Sequence, residues 1–213
     1  MVFPLSVDVG GVTLQGTVFS ASRPTGLVVL TQGSGSSRHS PRNRAMARGL
    51  QREGFTTLLI DLLGRDEERV DARTGTYRLN VEFLAARLAH VLGKVNIGRG
   101  SHGLPVGLFG SARGAAVALA AAARQPQLVR AVVSRGGRPE LAGATALSRV
   151  RAATLFIVDD SDEHIRELNR SAAKLMVAHE VWTIPESVRL LDDSGALEQV
   201  AKCAGDWFSQ HLQ

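Results

Sequence analysis

The sequence predicts an α/β protein with a mostly parallel central sheet that is covered by helices on both faces. Five short runs are almost continuously apolar, as expected for parallel strands that are buried on both sides. Longer segments with helical periodicity separate these runs, and such alternation is typical of a doubly covered sheet. The five runs are TGLVVL, FTTLLI, LPVGLF, LVRAVV and ATLFIV.

The same patterns place the individual elements along the chain. Strands are expected near residues 3–9, 12–19, 26–31, 55–60, 105–109, 129–133, 153–158 and 180–184. Helices are expected near residues 41–53, 79–95, 113–124, 163–176 and 195–211. The first two strands flank Gly10-Gly11, which favours a tight antiparallel hairpin. Ser40 before Pro41 is a good helix start. Residues 64–78 and 96–103 lack clear periodicity and are expected to form surface loops, and the segment 64–78 could also border the pocket.

Length and composition indicate one globular domain that spans residues 1–213. Cys203 is the only cysteine, so no intrachain disulfide can form and a reduced, cytoplasmic compartment is expected. The N-terminus has neither a basic leader nor a long apolar stretch, which argues against a signal peptide and a membrane anchor. No cofactor and no metal are expected, because no His/Cys/Asp cluster has ligand spacing. Both a monomer and a homo-oligomer are compatible with the sequence.

The chain carries a formal net charge of +5, and all but three of its 25 basic residues are arginines. These arginines are scattered through every segment, without a basic tail or interleaved aromatic side chains. The distribution argues against a nucleic-acid-binding module. A small anionic molecule remains the expected partner, because several arginines fall beside the candidate pocket.

The most informative segment, residues 104–124, passes from an apolar strand through glycines into an alanine-rich helix. Gly110 and Gly114 have the spacing of the G-x-S-x-G elbow, whose central residue carries a nucleophile at a sharp turn. The central residue here is Ala112, and its methyl group cannot attack an acyl carbon. Ser111 is not expected to replace it, because the side chains of successive residues point in different directions.

Other unusual segments follow the carboxyl ends of the central strands, where open α/β sheets bind ligands. Residues 31–44, TQGSGSSRHSPRNR, could offer backbone N–H groups to an oxyanion, or could be a flexible connector. SRGGRP, residues 134–139, could place Arg135 or Arg138 near a ligand, or form a tight turn. In DDSDEH the acidic residues could suggest a divalent ion, but Asp159 and Asp160 fit an ordinary turn.

With GSARGAAVAL, VVSRGGRPEL and GALEQVAKCAGDWF, these segments resemble the dienelactone hydrolase-like branch of the α/β-hydrolase superfamily over nearly the whole chain. The resemblance implies a hydrolase fold without a large lid and a catalytic triad in the order Ser, Asp, His. It places the nucleophile at Ala112, the acid at Asp162 and the histidine at Arg189. The residue that opens the oxyanion loop, usually histidine in this branch, is Gln32. Only the acid position of the triad is retained.

These departures predict a pseudoenzyme with a degenerate triad that has lost ester hydrolysis and binds a small, anionic ligand or acts as a scaffold. Arginine cannot serve as a base but can hold a carboxylate or phosphate in bidentate fashion. The candidate ligand contacts are Gln32, Gly33, Ser34, Arg38 and Arg113. Arg189 either binds the ligand or pairs with Asp162. The alternatives are a lyase, isomerase or cyclase that uses Asp162 as an acid or base, and a residual hydrolase with a non-standard nucleophile.

Three further side chains are of types that can act in catalysis, but the sequence predicts no catalytic role for them. His164 is expected to face solvent at a helix start, and His179 to lie at the amino end of a strand. Cys203 is expected to be buried on the apolar stripe of the last helix.

Overall fold

The computed structural model describes residues 1–32, 36–95, 103–185 and 193–213, with only the backbone of residues 193 and 194. Within them lie eight strands. The strands are β1 (Val2–Val9), β2 (Val12–Phe19), β3 (Leu27–Thr31), β4 (Thr56–Ile60), β5 (Val106–Ser111), β6 (Val129–Arg135), β7 (Ala153–Asp159) and β8 (His179–Ile184).

Helices alternate with these strands. They are α1 (Pro41–Arg52), α2 (Arg65–Thr74), α3 (Val81–Val95), α4 (Arg113–Arg124), α5 (Ala144–Arg149), α6 (Glu163–Ala173) and α7 (Asp193–His211), together with a short 3₁₀ turn over Pro139–Ala142.

All eight strands form one sheet in the order β1-β2-β4-β3-β5-β6-β7-β8. Strand β2 is antiparallel to both β1 and β4, and every other neighbouring pair is parallel. Gly10 and Gly11 connect β1 to β2 with φ angles of 60° and 82°, which glycine adopts without strain. The predicted hairpin and the mostly parallel sheet are confirmed.

Helices cover the sheet on both faces, as the apolar runs predicted. Leu27 and Val29 of β3 pack into a core with α3 and α4. Val28 and Leu30 of the same strand pack into a second core with α1 and α7. This alternation follows from the two-residue period of a strand. The carboxyl ends of the parallel strands therefore emerge between two helical layers.

The segment over residues 64–78 differs from its expected loop, because residues 65–74 form α2. Its sequence, RDEERVDART, is polar, and Asp71 is its one buried residue. The helix is stabilised at its ends. The Glu67 carboxylate accepts a hydrogen bond from the Gly64 amide at 2.8 Å, and Gly75 ends the helix with a φ of 66°.

The other expected helices and strands are present to within a few residues, while the 3₁₀ turn and α5 were not predicted. Most of the expected loop at 96–103 lies outside the described residues. Among the described helices, none is both long and apolar enough to cross a membrane.

Candidate functional site

The elbow between β5 and α4 is built around a single strained residue. Ala112 has φ 49° and ψ −124°, and it is the one described residue other than glycine with a positive φ. Such a conformation costs on the order of 1 to 3 kcal/mol and persists only where the surroundings impose it. The structure has the strand, sharp turn and helix that the glycine spacing predicted.

The two elbow glycines are required by close packing. A Cβ atom on Gly110 would lie 2.5 Å from the Cα atom of Ala115. A Cβ atom on Gly114 would lie 2.7 Å from the carbonyl oxygens of Thr31 and Gln32. Only glycine therefore lets the start of α4 pack against β5 and the end of β3.

The SRGGRP segment holds the elbow in place through its backbone. The Ala112 amide donates a hydrogen bond to the Arg135 carbonyl oxygen at 3.2 Å, and the Arg138 amide donates to the Ala112 carbonyl oxygen at 3.1 Å. The buried Asn169 side chain in turn donates to the Gly137 carbonyl oxygen at 3.0 Å. The sequence allowed this segment to form a tight turn or to place an arginine near a ligand, and its backbone forms the tight turn.

A cavity of about 460 Å³, here called the elbow cavity, opens in front of Ala112 at the carboxyl edge of the sheet. Leu30, Phe109 and Ile157 form part of its apolar wall. Among the described residues, the charged and amide side chains that line it are Gln32, Arg42, Asn43, Arg135 and Asp159, together with the hydroxyl groups of Thr31, Ser36, Ser40 and Ser111. The cavity combines an apolar wall with two guanidinium groups, one carboxylate and neutral polar groups.

Arg42 projects into this cavity from the first turn of α1. Its side chain is exposed and forms no hydrogen bond or ion pair within the described part of the chain. Arg135 lines the same cavity from the end of β6. Asp159, at the end of β7, accepts hydrogen bonds from the Ser161 amide at 2.9 Å and hydroxyl at 2.7 Å, as the predicted turn requires.

Gln32 and Arg38 are both joined to Asp61, which is buried and follows β4. The Gln32 amide donates to the Asp61 carboxylate at 3.4 Å and accepts a hydrogen bond from Asn43 at 2.9 Å. The Arg38 amide donates to Asp61 at 2.8 Å, and its guanidinium forms an ion pair with the same carboxylate. Gln32 is thereby oriented at the wall of the elbow cavity, while Arg38 is engaged by Asp61.

Asp162, the predicted acid position, is exposed at the start of α6. Its carboxylate accepts a hydrogen bond from the Ile165 amide at 3.0 Å and caps that helix. Asp159, rather than Asp162, is among the described residues that line the elbow cavity. The predicted contacts Gly33, Ser34 and Arg189 lie outside the described residues.

Arg113, another predicted contact, lines a second cavity of about 220 Å³, here called the side cavity. Thr31, Gln32 and Ser36 line both cavities, so the two share a wall beside the start of α4. Glu68 of α2 also faces the side cavity, and burial, followed by the charge of Asp61, raises the pKa of its carboxyl above 4.5.

Sequence reasoning missed Asp61 and Glu68. Asp61 directly follows a buried apolar strand, and that position alone places it at the edge where ligands bind. Glu68 lies in the segment 64–78, which was expected to be a loop that could border the pocket, and without its helix no single residue of that segment stood out.

The two histidine candidates lie where they were expected. His164 is exposed at the first turn of α6, and His179 begins β8, where its ring contacts the Met176 carbonyl oxygen at 3.2 Å. Cys203, which was expected to be buried, is half-buried against the core, and this burial raises the pKa of its thiol to about 11. Within the described residues no group of three metal-binding side chains occurs.

Comparisons with known proteins agree with this geometry. The family model of the α/β hydrolase fold matches residues 26–156. The crystal structure of a dienelactone hydrolase from Anabaena variabilis superimposes with a TM-score of 0.93 and 42% identity, covering 100% of this chain and 99% of that one. Est1E from Butyrivibrio proteoclasticus shares the fold at a TM-score of 0.77 and 14% identity, over 97% of this chain and 98% of its own.

Two curated proteins from strains of Mycobacterium tuberculosis are 45% identical over 209 residues, and each bears the name "Putative phosphoribosyl transferase". The match covers 98% of this chain but 46% of each relative, so the chain spans about half the length of these curated relatives. Taken with the family match and the elbow geometry, these similarities show that the chain belongs to the α/β hydrolase fold family and is dienelactone hydrolase-like.

Proposed function

We propose that this α/β-hydrolase-fold protein binds a small anionic molecule in the elbow cavity and does not hydrolyse esters. The observation that carries the proposal is Ala112 at the elbow tip, with φ 49° and ψ −124°. The backbone has the geometry that presents a nucleophile, but the side chain is a methyl group. A hydrolase of this family needs a hydroxyl or thiol at that point.

The position of the general base supports the same proposal. The resemblance to the family places the triad histidine at Arg189, and a guanidinium stays protonated at neutral pH. Loss of triad residues reduces turnover by about 10⁴ to 10⁶. Binding and oxyanion contacts alone would leave only residual hydrolysis.

The excess of cationic over anionic side chains supports an anionic ligand, because two arginines line the elbow cavity against one carboxylate, that of Asp159, among the described residues. Arg42 and Arg135 reach it from different elements, one from α1 and the other from the end of β6. A guanidinium binds a carboxylate or phosphate through two parallel hydrogen bonds. The amide of Asn43 and the hydroxyl of Ser36 add neutral polar groups to the same wall.

The name of the curated relatives adds one probe to this proposal. Because the chain spans about half of those proteins, we do not assign their transferase activity to it. A phosphorylated sugar is nevertheless a suitable anion to test. Phosphoribosyl diphosphate belongs beside inorganic phosphate and acetate in a binding series.

The loss of hydrolysis is tested with chromogenic short-chain esters and a fluorophosphonate probe. We expect no turnover above the rate without protein and no covalent labelling. Ser111 provides the sharpest challenge, because it lies beside the tip and lines the elbow cavity. Labelling at Ser111 or at any other serine, shown by mass spectrometry, would contradict the proposal.

Anion binding is tested by calorimetry with the Arg42→Ala variant. Loss of one charge-assisted bidentate contact should weaken binding by about tenfold or more. Arg48→Ala is the matched control, since Arg48 is exposed on the same helix and does not line the elbow cavity. Equal weakening by both variants would show a general effect of net charge and would contradict a site at Arg42.

A further inference from the structure

The side cavity has a size and an apolar floor that suit one small hydrophobic group. Ile60, Leu63, Leu84 and Val117 contribute to its wall, and its volume is about 220 Å³. An apolar cavity of about 150 Å³ is enough to hold benzene. The side cavity therefore has room for an aromatic ring or a branched aliphatic chain.

Of the three carboxylates that line the side cavity among the described residues, two are already neutralised. Asp61 forms the ion pair with Arg38 described above. Asp71 accepts hydrogen bonds from the Tyr77 amide at 2.7 Å and the Arg78 amide at 2.9 Å, and lies 3.5 Å from the Arg78 guanidinium. These contacts satisfy both carboxylates without a ligand.

One cation and one acid among the described residues of the side cavity have no such partner. Arg113 is partly buried and forms no side-chain hydrogen bond or ion pair within the described residues. The Glu68 side chain is exposed at the edge of the cavity and likewise forms no hydrogen bond there. The charged groups that act on it are Asp61, which disfavours its ionisation, and Arg38, Arg65 and His39, which favour it.

We propose that the side cavity binds the zwitterion of an α-amino acid with an apolar side chain. The ligand carboxylate pairs with the Arg113 guanidinium, the ammonium group lies toward Glu68, and the side chain rests on the apolar floor. This site is separate from the anion site in the elbow cavity and goes beyond the proposed function. It does not require the elbow cavity to be occupied.

Charge complementarity selects the zwitterion over simpler ligands. A monocarboxylate would satisfy Arg113 but place a second negative charge in the same cavity as Glu68. A primary amine would satisfy Glu68 and leave Arg113 partly desolvated and unpaired. Each simpler ligand therefore leaves either Glu68 or Arg113 without a direct ion-pair partner, and the cost is larger at Arg113, which is partly buried while Glu68 is exposed.

Three related ligands test this selection by calorimetry on the full chain. Phenylalanine carries both charges, 3-phenylpropanoate lacks the amine, and 2-phenylethylamine lacks the carboxylate. We expect phenylalanine to bind about tenfold more tightly than either analogue, since each analogue loses one charged contact. Equal affinity of phenylalanine and 3-phenylpropanoate, or failure of phenylalanine to bind, would overturn the inference.

Variants locate the binding in the side cavity. Ala72→Trp fills the cavity from an exposed position of α2 and should abolish phenylalanine binding. Ala45→Trp makes the same change at an exposed position of α1 that lines neither cavity, and should leave binding unchanged. Glu68→Gln should remove most of the preference for phenylalanine over 3-phenylpropanoate. Binding that survives Ala72→Trp would overturn the assignment.

The outcome is distinguishable from that of the proposed function. If phenylalanine does not bind while phosphate binding still depends on Arg42, the zwitterion site is wrong and the anion site stands. Serine labelling would refute the loss of hydrolysis whatever phenylalanine does. Arg42→Ala should leave phenylalanine binding unchanged.

Discussion

The amide of Ala112 donates a hydrogen bond to the carbonyl oxygen of Arg135, at 3.2 Å, across the carboxyl ends of two neighbouring strands. The Arg138 amide closes the arrangement by donating to the Ala112 carbonyl oxygen at 3.1 Å. Both partners belong to the SRGGRP segment, so the elbow conformation is imposed by its neighbours. The backbone strain at Ala112 therefore does not depend on whether its side chain is reactive. Its contribution to the free energy of unfolding can be measured separately from catalytic activity.

Replacing Ala112 by glycine should stabilise the protein by about 1 kcal/mol. Glycine adopts a φ of 49° without the steric cost that alanine carries, and this relief outweighs the extra freedom of glycine in the unfolded chain. Urea unfolding of Ala112→Gly and the wild type measures the difference.

The matched control is Ala123→Gly, which makes the same change inside α4, where the backbone is helical. That variant should lose about 1 kcal/mol, because glycine is a poor helix former. A loss of stability at both positions would mean that Ala112 is not strained.

Gly137→Ala should lower the free energy of unfolding by about 2 kcal/mol, because Gly137 lies in the SRGGRP segment that holds the elbow. The added Cβ would lie 2.2 Å from the Ser134 hydroxyl oxygen and 2.6 Å from the Ala115 Cβ atom, and overpacking of this kind typically costs about 1 to 3 kcal/mol. Gly93→Ala is the control, because Gly93 is exposed within α3 and a Cβ atom added there would have no neighbour within 4 Å among the described residues. It should gain about 1 kcal/mol. Thermal unfolding of the two variants should therefore shift in opposite directions.

The central sheet could be predicted because parallel strands buried on both faces are apolar along their whole length. Strand β3, LVVLT, is buried at every position, and the sequence shows it directly. Helix α2 could not be predicted in the same way. Its stability depends on Glu67, which bonds to Gly64 at its start and to Arg87, twenty residues away, and a pairing at that distance leaves no periodic pattern in the sequence.

The site was predictable where it depends on the local backbone. The spacing of Gly110 and Gly114 fixes the elbow, so the position of Ala112 followed from the sequence. The partner of Arg38 did not, because Asp61 lies 23 residues away and meets it only through the parallel pairing of β3 with β4. Side-chain pairs across the carboxyl edge of the sheet require the three-dimensional register.

Restoring two side chains should restore hydrolysis if the scaffold is otherwise intact. The double variant Ala112→Ser/Arg189→His supplies a hydroxyl at the elbow tip and an imidazole at the position that the family resemblance assigns to the base. We expect turnover of a chromogenic ester to exceed that of either single variant by about tenfold or more, since the two groups act as a unit.

The acid position can be tested in the same background. If Asp162 orients the new histidine, adding Asp162→Asn should remove most of the gained activity, while Asp160→Asn should not. Asp160 is the control because it is exposed, lies two residues away and pairs with Arg166, and neither residue is among the described residues that line the elbow cavity. If Asp160→Asn removes the gained activity and Asp162→Asn does not, the assignment of Asp162 as the acid is contradicted.

Glu67 and Arg87 form a mostly buried pair that joins α2 to α3. The Arg87 guanidinium donates to the Glu67 carboxylate at 2.8 Å, also bonds to the Leu62 carbonyl oxygen at 3.0 Å, and stacks 4.4 Å from the ring of Phe83. Glu67→Gln should cost about 2 to 3 kcal/mol, because it leaves a mostly buried guanidinium without its counter-charge. The exposed pair of Glu82 with Arg124 is the control, and Glu82→Gln should cost less than about 1 kcal/mol.

The same pair predicts a pH dependence of stability. The hydrogen bond from Arg87 holds the pKa of Glu67 below 4.5 in spite of its burial, so the folded state binds the proton less readily than the unfolded state. The stabilisation of the folded state by ionised Glu67 is therefore complete above pH 4.5, and it is lost as the pH falls through the lowered pKa of the folded state. Urea unfolding at intervals from about pH 7 to about pH 3 measures the difference in free energy of unfolding between the wild type and Glu67→Gln. This difference should stay constant as the pH falls to 4.5 and should narrow only below pH 4.5. A gap that narrows as the pH rises from about 5 to about 7 would show the opposite sign and would mean that burial, not Arg87, dominates at Glu67.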